Sequence, residues 1–480
     1  MSDKLTEAKE AGGGTVERRL QELSEGTVLL PLMIVSYMLQ YLDKTTLGNA
    51  AIMGIIKDTH LVGQDYSWVS SIFYFGYLAA SYPASVCFVK FPVGKFLSLS
   101  FISWAIVLTC HAATTNYAGL MVTRFLLGCF EATISPGFSL LTTLFYSREE
   151  HASRHAIWFA GNGIAVGLGN LAAYGILHIR HPLTPWQWLF IIFGLVTFLW
   201  GVCLLYGLPD APSKARFLNE RQRQIVVRRS QQAHKIGPTQ KYKMSEVWEA
   251  LSDPKTWLLF FFTVTMTIPN GGLTNFSSLI ISGFGFSLFT TLLMGLPSAG
   301  FQILYVMGSS YLATKIRQSR CVIMAILCII SIVGCVVVRQ LPQSNKTGRL
   351  MGLYLFGAYA ATFPLSLSLI ASNTQGFTKK TLVTAIMLVG YCTGNIAGPH
   401  LFYMHQAPRY ESAFTGILVC FCLGWGLVVA LRLVMSYENR RRDRLYGVVD
   451  STEAAQDASS DEQQWEALTD FQNKKLRYCL

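Results

Sequence analysis

Residues 118–142 read AGLMVTRFLLGCFEATISPGFSLLT, an apolar run long enough to cross a membrane. A spanning helix needs about 20 mostly apolar residues. This run nevertheless contains two ionisable side chains, Arg124 and Glu131. An ionisable group at the bilayer centre costs about 3 kcal/mol or more unless it has a partner or faces a watery cavity, and it usually serves a function. The stretch therefore predicts a membrane helix that contributes charged groups to an internal site.

The composition of the whole chain is that of a protein embedded in a membrane along most of its length. Hydrophobic residues make up 51% of the 480 residues, charged residues make up 14%, and the mean hydropathy is +0.37. Soluble proteins average about 25% charged residues. The net charge of +12 does not indicate nucleic-acid binding, because the basic residues lie in short loops between apolar runs. The eleven cysteines include no Cys-x-x-Cys pair, so neither a metal site nor a disulfide framework is predicted.

Apolar segments of membrane length recur along the chain in two groups of six, separated by a hydrophilic stretch. This pattern predicts an all-α membrane protein with twelve transmembrane helices in two six-helix bundles. The predicted spans are 28–52, 67–89, 96–115, 118–142, 155–177, 187–208, 256–281, 288–312, 321–339, 350–372, 382–404 and 412–435.

The loops predict how the chain is divided and oriented. The predicted inner loops carry 19 basic residues and the outer loops 6, so both chain ends are expected in the cytosol. Within the central loop, residues 219–229 are expected to form an amphipathic helix on the inner membrane face. The predicted regions are a disordered cytosolic tail at 1–27, the N-terminal bundle at 28–208, a cytosolic central loop at 209–255, the C-terminal bundle at 256–435 and a cytosolic tail at 436–480.

Four charged residues inside the predicted spans are the candidates for a transport site. Asp43 and Lys44 are neighbours, so their side chains point about 100° apart and can serve different partners. Arg124 and Glu131 are seven residues apart, which puts them on one helix face about 10 Å apart along the axis. The arginine presents a planar fork suited to a carboxylate. The glutamate, in a low-dielectric site, is a candidate proton carrier, with Asp43 as its rival.

The sequence is equally compatible with structural roles for the same residues. Asp43 and Lys44 could be a buried pair that fixes helix packing, and Arg124 could be a gating or packing residue. No acid or base lies deep in a span of the second half; Asn270 and Asn275 there could complete a substrate site by hydrogen bonding. Most such amides, however, serve helix packing. The glycines of 161–169 and 390–398 are likewise interpreted as close-packing helix faces.

An enzyme is not predicted, and neither is a cofactor. The sequence contains no nucleophile–base pair, no metal-ligand set and no Gly-x-x-x-x-Gly-Lys-Ser/Thr phosphate loop.

Several stretches together resemble a known family of transporters, the major facilitator superfamily, and within it the fungal allantoate permease branch of the anion:cation symporters. The resemblance covers about 28–440, and its most specific stretches are YLDKTTLG at 41–48, GQDYSWVSSIFYFGY at 63–77, and RFLLGCFEA at 124–132 followed by Pro136-Gly137. It implies the major facilitator fold, alternating access and proton symport of small carboxylates. In related anion symporters the positions of Asp43, Lys44, Arg124 and Glu131 serve coupling and substrate binding.

Two departures from the family pattern qualify this expectation. The loop at 89–95, VKFPVGK, lacks the acid that the superfamily usually carries there. The seventh span has Asn270 and Asn275 where some anion symporters have a second base, which favours a monocarboxylate.

The sequence therefore predicts a proton-coupled importer of a small organic monoanion. An exporter of an acidic secondary metabolite and a non-transporting nutrient sensor remain as alternatives. The expected partners are the organic anion, the proton and membrane lipid, with no nucleic acid, and the protein is expected to be a monomer. The plasma membrane is favoured over vacuolar or other internal membranes.

Overall fold

A computed structural model describes residues 29–146, 157–158, 161–179, 181–211, 213, 215, 220, 242–316, 318–447 and 468–480. All regular structure in these ranges is helical. The predicted tail at 1–27 lies outside the described residues, and so does the predicted helix at 219–229 apart from residue 220.

The first bundle consists of six long helices that alternate in direction. Nine helices in the described ranges are long and apolar enough to span a membrane, and four of these belong to this bundle. Long apolar runs form helices in a membrane because each backbone polar group then has a partner within its own segment. The helices are α1 at 29–52, α2 Asp65–Lys90, α3 Val93–Ala113, α4 Tyr117–Thr142, α5 Gly161–Ile176 and α6 Pro185–Gly207.

The second bundle repeats this pattern after a short amphipathic segment, the linker helix Met244–Ser252. Its last helix runs further than expected, ending at Tyr446 rather than near residue 435. The helices are α7 Pro254–Gly283, α8 Leu288–Lys315, α9 Arg320–Gln340, α10 Lys346–Asn373, α11 Phe377–Leu401 and α12 Glu411–Tyr446.

Glycines let particular helix pairs approach at backbone distance, and this sets the position of α4. A Cβ atom at Gly76 of α2 would collide with the Phe125 carbonyl oxygen, and one at Gly128 of α4 would collide with the Phe73 carbonyl oxygen. Small residues at such crossings are typical of membrane helix packing. The helix that carries Arg124 and Glu131 is therefore pressed against α2 along its length.

The glycines at 161–169 and 390–398 also lie at helix contacts, as predicted. A Cβ at Gly161 would lie 2.9 Å from the Ile34 carbonyl oxygen of α1. A Cβ at Gly394 would lie 2.7 Å from the Val264 carbonyl oxygen of α7. These contacts join α5 to α1 and α11 to α7.

The two ends of the molecule differ in how the bundles meet. We call the end that holds loops 53–64, 284–287 and 402–410 the far face, and the opposite end, with 91–92, 253, 374–376 and 468–480, the tail face. At the far face, hydrogen bonds join the bundles: Ser67 Oγ to the Pro399 carbonyl oxygen at 2.9 Å, and Ser278 Oγ to Asn49 Oδ1 at 2.7 Å. The far face is thus closed in this structure.

The segment 468–480 returns to the tail face and packs there against the second bundle. Five of its residues, Thr469, Asp470, Asn473, Tyr478 and Leu480, are buried. The sequence pattern indicated only a polar tail for this region, because its apolar content is too low to predict docking.

Candidate functional site

A cavity of about 120 Å³ lies between the bundles, bounded by α1, α5, α7, α8 and α10. Its polar groups are hydroxyls and amides, and its described lining contains no Asp, Glu, Lys or Arg. Such a wall offers both donors and acceptors to a small polar ligand. The polar lining residues are Tyr41, Thr45, Asn49, Asn170, Thr274, Ser277, Ser278, Thr291, Ser298, Gln302, Tyr354 and Tyr359.

An ion pair between Lys44 and Glu131 joins α1 to α4 next to this cavity. Lys44 Nζ lies 3.6 Å from Glu131 Oε2; the lysine side chain is 13% exposed and the glutamate side chain fully buried. Lys44 immediately precedes the cavity residue Thr45. Its ammonium also lies 5.5 Å from the centre of the Phe73 ring and 5.7 Å from that of Tyr77, within cation–π range. Lys44 is not itself a lining residue; it is adjacent in sequence to one, and its charge is paired with a buried acid.

Asp43 points away from that pair, into the interior of the first bundle. Its Oδ2 atom accepts hydrogen bonds from Trp104 Nε1 at 2.7 Å and from Thr197 Oγ1 at 3.4 Å. These partners belong to α3 and α6. Asp43 and Lys44 therefore have different partners, because adjacent helix positions diverge by about 100°.

Arg124 is also inside the first bundle, and it does not line the cavity. Its residue is 2% exposed, and its guanidinium carbon lies 5.9 Å from the centre of the Phe190 ring on α6. The Nε and Nη2 atoms have no hydrogen-bond partner in the described ranges. Sequence spacing placed Arg124 and Glu131 on one face, and both are indeed buried on α4, but only Glu131 meets Lys44.

The two asparagines of α7 have different surroundings. Asn270 Nδ2 donates to Asn395 Oδ1 at 2.8 Å, and the cavity residue Tyr359 donates to Asn270 Oδ1 at 3.4 Å. Asn275 Nδ2 donates to the Gly271 carbonyl oxygen of its own helix, and the Asn275 carbonyl oxygen accepts from Tyr66 Oη at 2.8 Å. Asn270 thus contacts the cavity residue Tyr359 but is not itself part of the cavity wall. Asn275 joins the two bundles at the far face.

Sequence reasoning missed most of the cavity wall. The strongest signals were amides inside predicted spans, at Asn49, Asn170 and Gln302, but buried amides occur at many helix contacts and the sequence does not separate the two uses. No group of three or more His, Cys, Asp or Glu side chains in the described residues could hold a metal ion.

Comparison with known proteins places this arrangement in a family. The model of the Major Facilitator Superfamily matches residues 33–399. Allantoate permease of Saccharomyces cerevisiae is 35% identical over 99% of this chain and 89% of that protein. The thiamine pathway transporter THI73 of the same yeast is 32% identical over 94% of this chain and 84% of its own length.

Solved structures agree on the fold. A D-xylose–proton symporter has a TM-score of 0.62 at 11% identity, covering 84% of this chain and 96% of its own. A bacterial homologue of the human lysosomal transporter Spinster, in an inward-facing occupied conformation, has a TM-score of 0.62 at 14% identity, covering 85% of this chain and 96% of its own. The chain belongs to the major facilitator superfamily, in its fungal allantoate permease branch, and is a twelve-helix membrane transporter rather than an enzyme.

Proposed function

We propose that this transporter carries a small organic monoanion together with a proton, by alternating access. The observation that carries the proposal is the buried Lys44–Glu131 ion pair beside an uncharged polar cavity. A carboxylate needs a cation in the site, and a proton-coupled carrier needs an acid whose protonation changes that cation's availability. The similarity to a permease named for allantoate, an organic carboxylate, supports the substrate class.

In this mechanism, protonation of Glu131 makes Lys44 available to the substrate. At 3.6 Å and an effective dielectric constant of about 20, two unit charges attract by about 5 kcal/mol. While Glu131 is ionised, this attraction competes with any carboxylate for Lys44. Once Glu131 is protonated, Lys44 has lost its counter-charge and attracts the substrate anion. The rest of the substrate then occupies the cavity, within reach of hydroxyl and amide groups such as those of Tyr41 and Gln302.

The same pair gives the empty carrier a way to return. After the substrate and the proton leave, the ionised Glu131 pairs with Lys44 again. The empty carrier then reorients while the Lys44–Glu131 pair carries no net charge. A buried charge without a partner is strongly unfavourable, so a carrier with substrate but no proton, or the reverse, is disfavoured. This exclusion is what couples the two fluxes.

The surroundings of the other charged residues support Glu131 as the proton carrier in preference to Asp43. Asp43 is held by Trp104 and Thr197 on the side away from the cavity, so its protonation would not release Lys44. Arg124 lies within electrostatic range of both acids, and we assign it the role of holding positive charge in the first bundle as Glu131 changes state. Asn270 is assigned to the substrate side through Tyr359, and Asn275 to the closed far face.

The proposal includes location and direction. We infer that the protein is a monomer in the plasma membrane, with the chain ends and the central loop in the cytosol. Protons that move down their gradient drive the import of its substrate. The test is uptake by a transport-deficient host that expresses this chain, screened over labelled carboxylates including allantoate at pH 5 and pH 7. Greater accumulation at pH 5 supports proton-coupled import. Loss of preloaded substrate without uptake supports the exporter instead.

A further inference from the structure

The segment 468–480, which we call the strap, is anchored to the second bundle by many polar contacts, whereas a solvated tail would make few. It contacts five of that bundle's six helices. The Asn373 side chain at the end of α10 exchanges two hydrogen bonds with the Cys479 backbone, at 2.7 and 2.8 Å. Asn439 of α12 does the same with the Tyr478 backbone, at 2.8 and 2.9 Å. The Arg320 backbone N–H of α9 donates to the Leu480 carbonyl oxygen at 2.9 Å.

The densest contact is at Asp470, which is completely buried. Its Oδ1 lies 2.7 Å from Lys379 Nζ at the start of α11, and its Oδ2 lies 2.9 Å from Lys255 Nζ at the start of α7. Tyr478 Oη donates to Oδ2 at 2.9 Å. Burial by itself raises the pKa of a carboxyl group, but the ammonium groups of Lys255 and Lys379 outweigh it and hold the pKa of Asp470 below its ordinary value.

The first turn of α11 is held from a second side by the linker helix. Glu246 Oε2 accepts hydrogen bonds from the backbone N–H groups of Thr378 at 3.0 Å and Lys379 at 3.4 Å. A carboxylate at a helix amino end satisfies unpaired N–H groups and favours the helix dipole. Glu249 accepts from Lys379 Nζ at 2.9 Å and from Thr469 Oγ1 at 2.8 Å, which ties the linker helix to the strap.

The opposite end of α11 carries the contacts that close the far face. Ser71 Oγ of α2 donates to the Ile396 carbonyl oxygen at 2.7 Å, and Trp68 packs edge-on against His400 at 4.6 Å between ring centres. One helix is therefore clamped at the tail face by the strap and joined at the far face to the first bundle. A helix transmits a change at one end to the other because it is stiff.

We propose that the strap is a positioning element for α11: by holding its first turn, the strap stabilises the orientation in which the far face is closed. This inference rests on the proposed alternating-access function. Releasing the strap frees the amino end of α11, weakens its fit against α2 and shifts the carrier towards the orientation that is open at the far face. Coupling between distant sites in proteins is typically about 5- to 150-fold. We expect the population open at the far face to rise about fivefold or more.

The test measures distance between two spin labels at the far face, without added substrate. One label replaces Val62 of the first bundle and the other Tyr403 of the second; both positions are exposed. The full chain is used in lipid nanodiscs in a cysteine-free background, which leaves the Cys479 backbone contacts in place. Asp470→Asn removes the charge with little change of shape, and Thr469→Glu expels the strap by placing a carboxylate beside Glu249. Asp210→Asn, which changes an acid that follows α6 and accepts a hydrogen bond from the Lys95 backbone N–H of α3, is the matched control.

A third label at Lys474, an exposed position of the strap, reports whether the strap has been released. The proposal expects a mobile Lys474 label and a larger long-distance population in both strap variants, and neither change in Asp210→Asn. A mobile strap with unchanged far-face distances overturns it, and so does a strap that stays immobile in both variants. If Thr469→Glu does not fold, Asp470→Asn decides alone. Because the distances need no substrate, failure to transport carboxylates would contradict the proposed function and leave this result standing.

Discussion

Replacing Glu131 with glutamine tests the coupling mechanism, because it removes one charge of the central ion pair and keeps the side-chain shape. The pair distance of 3.6 Å corresponds to an attraction of about 5 kcal/mol at an effective dielectric constant of about 20. The carboxylate oxygens of Glu131 have no hydrogen-bond partner in the described part of the chain, so Lys44 is their main described interaction. The variant should therefore leave Lys44 permanently available to a substrate carboxylate.

Substrate binding by Glu131→Gln should consequently lose its dependence on pH. In the wild type, the apparent affinity should fall by up to about tenfold for each pH unit above the pKa of Glu131, since one pH unit corresponds to about 1.4 kcal/mol. In the variant the affinity should be flat with pH and equal to that of the protonated wild type. The variant should still exchange substrate across the membrane, because exchange returns a loaded carrier without releasing a proton.

The decisive assay pairs counterflow with uptake driven by a pH gradient in the same proteoliposomes. Glu131→Gln should retain counterflow and lose at least about nine-tenths of the pH-driven accumulation, since the empty carrier can no longer restore the ion pair. Glu411→Gln, which changes an exposed acid at the far face, should behave as the wild type. Full pH-driven accumulation by Glu131→Gln, together with its loss in Asp43→Asn, would refute the reasoning and assign coupling to Asp43.

Four further expectations follow from the charge cluster, the topology, the packing and the strap. Arg124→Lys keeps the positive charge assigned to this position and should retain most of the transport, whereas Arg124→Ala should be nearly inactive at normal surface expression; an unchanged KM for Arg124→Ala would show that this charge is not used. A cysteine at Ser230 should not react with an impermeant maleimide outside intact cells, and ready labelling there would reverse the predicted orientation. Gly128→Ala should destabilise the protein by about 1–3 kcal/mol, because its Cβ would collide with the backbone of α2; an unchanged thermal melting temperature would contradict that packing. A spin label at Lys474 should stay immobile from pH 7 to about pH 4 and become mobile only below that range. The reason is that the pKa of Asp470 is lowered from 3.8, so the stabilising charge of its carboxylate is lost only as the pH falls through the lowered value. Release near pH 6 would contradict the Asp470 anchor.

The sequence by itself determined the membrane class, the number of helices and the identity of the charged candidates. Hydrophobic length measured against bilayer thickness is a local property, so the twelve spans could be located without knowing how they pack. Charged residues inside spans are rare because they are energetically unfavourable, so each one can be recognised as a candidate without its partners. For this reason the sequence was enough to identify Asp43, Lys44, Arg124 and Glu131. The small-residue faces at 161–169 and 390–398 were predicted for a similar reason, because glycine repeats are visible along one helix.

Only the tertiary structure decided which of these charges meet. Whether Glu131 pairs with Lys44 or with Arg124 depends on the rotation of α1 and α4 and on their separation, which the glycine contacts between α4 and α2 help to fix. The cavity wall could not be predicted either, because each of its five helices contributes only a few ordinary hydroxyl or amide groups. The strap is the clearest case: its docking depends on Lys255, Lys379 and Asn373, which lie 91 to 215 residues from it in sequence and become one surface only when the second bundle has assembled.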